Sequence, residues 1–188
     1  MSSENSTVIE HLKRAWTQND ATSFKQLLAQ HPELKKKINE PVAAFDSPLI
    51  VQARSREMLD VLLDVGADIN ARSRWWAGGF GLLDSASPEL AAYAIERGAI
   101  VDAHSASRLG LLGRLQEILS ARPELVNARG GDGQTPLHFA STVAVAEYLL
   151  DHGAVIDMPD VDHESTPAQY MVRVRQEVLR YLIQRRGH

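Results

Sequence analysis

The residues of this chain that could do chemistry are its histidines, a run of acidic residues near position 160 and a glycine cluster near 131. The histidines stand at 11, 31, 104, 138, 152, 163 and 188. None pairs with another at the i, i+4 spacing that would put two imidazoles on one helix face around a metal. There is no cysteine, which removes disulfides, thiolate metal sites and thiol nucleophiles together. Asp157, Asp160, Asp162 and Glu164 flank His163. That pattern fits a solvated acidic loop, a docking patch for a basic partner or a divalent-cation site. It lacks the Gly and terminal Glu of a calcium-binding EF-hand loop. Gly130-Gly131-Asp132-Gly133 resembles a phosphate cradle only superficially, because no Lys-Ser/Thr follows and no strand precedes. It reads better as a tight turn, where Gly and Asp supply unusual backbone angles. Ser85 and Ser141 lie in no Gly-x-Ser-x-Gly elbow. The expectation is a chain with no catalytic residue, no cofactor and no metal.

Composition narrows the class. The 188 residues suit one domain, and 44% hydrophobic with 23% charged residues is ordinary for a folded protein. A formal net charge of -4 argues against a broad nucleic-acid-binding face. No apolar run approaches a membrane span. Met1 to Thr7 has neither a basic region nor an apolar one, so no secretory signal is expected. A cytoplasmic protein without membrane or nucleic-acid partners is the expectation.

The elements that must position any site come from an internal repeat. An amphipathic stretch, a Gly-Ala loop and an Asn or Asp recur, as in Leu59 to Ala71, Tyr93 to Ala103 and Tyr148 to Asp157. A variant ends in Pro-Glu-Leu, at Pro32 to Leu34 and Pro123 to Leu125. The anchors are Asn39, Asn70, Asp102, Asn127 and Asp157, with gaps of 31, 32, 25 and 30. Thr135-Pro136-Leu137-His138 opens a helix after one anchor, and Ser47-Pro48-Leu49 and Thr166-Pro167-Ala168 echo it. Thr or Ser caps a helix, and Pro suits its first position because the missing N–H would be unpaired there.

Thr135 to His138 with Gly153-Ala154, at a spacing near 30, resembles the ankyrin repeat. The resemblance covers about residues 8–188 and implies an all-α ankyrin-repeat solenoid of about six helix-turn-helix units with β-turn fingers. The unit boundaries fall near 8–39, 40–70, 71–102, 103–127, 128–157 and 158–188, with 1–7 expected as a disordered tail. The family also implies that His138 ties backbone between units rather than doing catalysis. In the 25-residue unit His104 follows Asp102 almost directly, leaving no room for a finger. We therefore expect helices over 105–112 and 114–119 there, a notch in the finger row, and the weakest interface of the array within 75–115.

The resemblance implies protein binding on the concave side and fingers, by a non-enzymatic monomer. Arg72-Ser73-Arg74-Trp75-Trp76 concentrates the residue types that anchor interfaces. Adjacent residues of an extended finger point opposite ways, so burying both Trp75 and Trp76 in one small core is difficult. Arg108 and Arg129, with Arg54 and Ser141-Thr142, are further candidates by register. Asp160, Asp162 and Glu164 form an acidic finger opposite basic Arg72 and Arg74, a charge split that would orient a partner. Two rival readings are a small-ligand or enzymatic use of the groove and a self-associating spacer.

Overall fold

The computed structural model describes residues 3–172 and 174–186. His188, the last of the seven histidines, lies outside the described residues, as do Met1, Ser2, Arg173 and Gly187.

Helices α1 (Ser3–Thr17) and α2 (Ala21–Gln30) pack on each other. Helix α1 begins inside the 1–7 segment assigned to a tail, ahead of the apolar stripe that starts at Val8. Asp20 caps α2 by accepting from Ser23 N–H at 3.0 Å. A 3₁₀ turn, Pro32–Lys37, follows and takes in the lysine triplet. The next layers are lopsided. A short 3₁₀ turn, Leu49–Gln52, backs α3 (Arg56–Asp64), and another, Leu82–Asp84, backs α4 (Pro88–Glu96). Ser55 and Ser87 cap α3 and α4, with Pro88 at the first position as its sequence signature predicts.

Beyond residue 100 both members of a pair are α-helical. They are α5 (Ala103–Leu109) with α6 (Leu112–Ala121), α7 (Pro136–Phe139) with α8 (Val143–Asp151), and α9 (Pro167–Met171) with α10 (Gln176–Arg186). Helix α5 starts earlier and stops earlier than the periodicity suggests. Asp102 caps it by accepting from Ser105 N–H at 2.8 Å, and Gly110 ends it in the left-handed region. Leu111 and Leu112 then open α6 two residues ahead of the expected start. No strand occurs among the described residues; one isolated bridge, Ala43 to Ser47, closes a finger.

The anchor positions explain how layers are held in register. Asn39 donates to Gly66 O at 3.0 Å and accepts from Asp68 N–H at 2.8 Å. Asn70 does the same with Gly98 O and Ile100 N–H, and Asn127 with Gly153 O and Val155 N–H. A carboxamide has both the donor and the acceptor this bridge needs; a carboxylate does not. Asp102, where the Gly-Ala loop is missing from the next layer, caps α5 instead, and Asp157 pairs with Arg186 at 2.9 Å.

Buried apolar residues form two clusters. One runs from Ala15 to Ala99 around Phe24, Ile50, Met58 and Leu62; the other runs from Ala103 to Leu182 around Leu115, Leu137, Leu149 and Met171. Val101 packs against both, so the seam falls at the short unit.

Candidate interaction surface on the fingers

Four hairpin fingers, 42–47, 72–80, 129–134 and 158–165, touch in series. Arg74 N–H donates to Asp46 O at 2.8 Å, and Val161 N–H donates to Asp132 O at 2.9 Å. Between them the expected notch is closed. A Cβ on Gly78 would lie 2.0 Å from Gly130 O, and one on Gly131 would lie 2.3 Å from the Phe80 ring. The two fingers flanking the missing one thus meet backbone to backbone, and only glycine permits that approach. Gly78 also holds φ +137°, in the region L side chains avoid.

Two buried imidazoles pin the C-terminal fingers. His138 Nδ1 accepts from Thr135 N–H at 3.0 Å, so Nε2 carries the proton and donates to Ser165 O at 3.0 Å. Burial holds the His138 pKa below the usual range and keeps the ring neutral. His104, one position earlier relative to its helix cap, reaches Ala128 O at 2.9 Å and Gln134 O at 3.2 Å from Nε2. The inter-unit role that the family implies for His138 is the geometry found.

Finger 72–80 is held differently. Arg72 donates to Gly79 O at 2.7 Å and pairs with Asp102 at 3.1 Å and Asp84 at 3.4 Å. Burial pushes the Asp84 carboxyl up, against the Gly81 N–H bond and the Arg72 charge. Burial acts the same way on Asp102, but its bonds from Ser105, with help from His104 and Arg72, outweigh it and the net shift is downward.

The candidate residues therefore divide. Arg108 donates from Nε to Leu83 O at 2.8 Å and from a terminal nitrogen to Ala86 O. Arg54 donates to Trp16 O and Thr17 O, Ser141 to Ser107 O, and Arg175 to His138 O. These four satisfy carbonyls left open where the preceding layer's first helix or turn ends. Arg129 donates to Gly133 O at 2.6 Å and Pro159 O at 2.9 Å. Asp160 is buried, and its Oδ1 accepts from His163 N–H at 2.8 Å and Ser165 N–H at 3.3 Å. Arg72, Arg108, Arg129 and Asp160 thus have neighbours inside the fold. Arg74 and Glu164 are exposed and Asp162 is half-buried, so the charge contrast between fingers narrows to these three.

Trp75 is half-buried, edge-on to Phe45 with ring centroids 5.3 Å apart. Phe45 also meets Phe80 at 5.4 Å, and Trp76 leans on Trp75 at 6.2 Å. Trp76 stays 67% exposed and Phe45 50% exposed, so one aromatic cluster presents two rings to solvent. A groove of about 730 Å³ runs beside it, lined by Trp16, Phe45, Phe80, Asp84, Ala86 and Asp132 among others. Phe45 was not singled out from sequence. Its signal was an aromatic residue in a finger tip, just ahead of the Ser47-Pro48 helix start.

Residues 132–161 match the family model for the ankyrin repeat. No curated protein matches the sequence. Among solved structures, the chain is similar to one in the complex of the Bd0816 predatory endopeptidase from Bdellovibrio bacteriovorus with the immunity protein Bd3460. That match has 19% identity and a TM-score of 0.50, over 93% of this chain and 97% of that one.

Proposed function

We propose that this chain is a non-enzymatic protein-binding module, a stack of about six helical hairpins over 8–188 that receives a partner on its concave side and fingers. The observation that carries the reading is the cluster of Phe45, Trp75, Trp76 and Phe80. It keeps two large aromatic rings in water beside a groove. Exposed aromatics that could pack inward but do not are the usual anchors of interfaces. The ankyrin repeat at 132–161 adds support, since that family generally serves as an interaction scaffold. The fold likeness to a chain from a two-protein complex is compatible with the same reading.

Arg74, on the aromatic finger, and Glu164, two fingers along, are exposed charges of opposite sign, and such charges set association rate more than affinity. A photo-crosslinking residue placed at 76 tests the site. It should capture one defined protein from the source cells, while the same residue at Ile100, also exposed, should not. Equal capture from both positions, or none from 76, would remove the finger surface as the docking site.

A further inference from the structure

Among the described residues, four buried side-chain polar atoms lack a hydrogen-bond partner, and two of them lie on the last two fingers. They are Asp132 Oδ1 and Asp160 Oδ2; Trp75 Nε1, on finger 72–80, is a donor beside Asp132. Native structures rarely leave such atoms unpaired, and a cluster of them points to a ligand. One ligand atom each from Asp132, Asp162 and His163 lies within 4.8 Å of the others. His163 Nε2 is 3.7 Å from Asp162 Oδ2, and His163 Nδ1 is 3.6 Å from Asp160 Oδ2.

The buried carboxylate is placed to orient the imidazole. Asp160 has a fully buried side chain, fixed by the two backbone bonds to Oδ1 that leave Oδ2 facing the ring. A carboxylate on one ring nitrogen that turns the other toward a metal is the usual outer partner of a metal-bound histidine. The Tyr170 hydroxyl lies 3.2 Å from the same nitrogen, His163 Nδ1, and beside Asp160, so Nε2 is the nitrogen left facing Asp162. No Lys or Arg forms an ion pair with Asp132, Asp160 or Asp162 among the described residues. Three carboxylates therefore face one imidazole with no fixed cation.

We propose that Asp132, Asp162 and His163 bind a divalent first-row transition ion of the zinc type, with Asp160 positioning the histidine. A nitrogen in the donor set favours such an ion over magnesium or calcium, which take oxygen ligands. Bond lengths near 2 Å set tetrahedral ligands about 3.3 Å apart, so small side-chain rotations would close the set. Water would fill the remaining position. Asp132 belongs to finger 129–134 and the other two to 158–165, so the ion would clamp the fingers that Val161 N–H already joins. Sequence reading split these residues, taking Asp132 for a turn residue and weighing a cation site, a docking patch or a solvated loop within the 157–164 run alone.

The test is calorimetric titration of the untagged, EDTA-treated chain with zinc chloride, beside cobalt(II) absorption spectra. One saturable equivalent is expected, with visible bands from a nitrogen–oxygen site of low coordination number. His163→Gln and Asp162→Asn, both at partly exposed side chains, should abolish that equivalent while leaving the metal-free melting curve unchanged. Asp160→Asn keeps the acceptor at Oδ1 and should weaken binding about 10–100-fold. If Asp160→Asn lowers the metal-free melting temperature, the first two variants decide alone. No saturable site, full affinity in His163→Gln, or calcium binding as tightly as zinc would each overturn the proposal.

Discussion

The two halves of the molecule hold their fingers by different chemistry. Past residue 100, buried imidazoles lead: His104 and His138 each reach across to backbone of the next finger, with Arg129 adding a bridge from Gly133 O to Pro159 O. Before residue 100, short hydroxyl bonds and a charged network do it, through Ser47 to Ala44 O, Ser73 to Phe80 N–H, and Arg72 between Asp84 and Asp102. The helices follow the same division. The Thr-Pro-Leu-His start makes α7 an α-helix, whereas Ser47-Pro48 and Gly81 lead only into 3₁₀ turns. An imidazole placed three residues after its cap, as His138 is, satisfies the cap and the neighbouring unit at once, and there Arg129 supplements it rather than replacing it.

The largest effect is expected where the halves meet. Gly78→Ala puts a methyl into Gly130 O at a disfavoured φ. It should cost about 3 kcal/mol or more in urea unfolding. If it also splits one transition into two, the halves are separate cooperative units joined by that contact. Arg108→Ala should cost about 1.5–3 kcal/mol by leaving the Leu83 and Ala86 carbonyls unpaired across the same seam. Arg108→Lys should rescue little, because one ammonium cannot reproduce the guanidinium fork.

Acid should act on His138 and Asp84 with opposite signs. The His138 pKa is lowered by burial, so below its unfolded value of about 6.5 the unfolded chain binds a proton the folded chain refuses, and stability falls with pH. The Asp84 pKa is raised by burial, so above its unfolded value the folded chain holds the extra proton; acidification toward pH 4 relieves that cost. Hydrogen exchange at decreasing pH should therefore quicken at 130–140 before 72–84. The reverse order would contradict the division. At neutral pH, the 75–115 segment across the seam should exchange faster than either core.

Asn127→Ala tests a device both halves share. It removes the bridge to Gly153 O and Val155 N–H and should cost about 1 kcal/mol. Asn70→Ala, at the equivalent bridge in the first half, should cost about the same. A marked difference would mean that one half does not depend on these bridges.

Most of the helical pairing was legible from caps, prolines and the Asn spacing, because each acts through its own near neighbours. What stayed hidden depends on residues far apart in sequence. Arg108 has the composition of an interface residue, and only the fold shows the Leu83 carbonyl beneath it. The notch follows from the 25-residue gap, but its closure depends on Gly78 meeting Gly130, a contact no local pattern encodes. The same holds for Phe45, which joins Trp75 only because successive fingers lie side by side.

The central claim is that Phe45 and Trp76 are exposed for binding rather than for stability. The direct measurement pairs melting curves of wild type and Phe45→Ser/Trp76→Ser with affinity capture by each from the source organism's lysate. The account predicts stability within about 0.5 kcal/mol, as for exposed sites, and loss of the protein that wild type retains. Retention of the same protein by an equally stable double variant would contradict it.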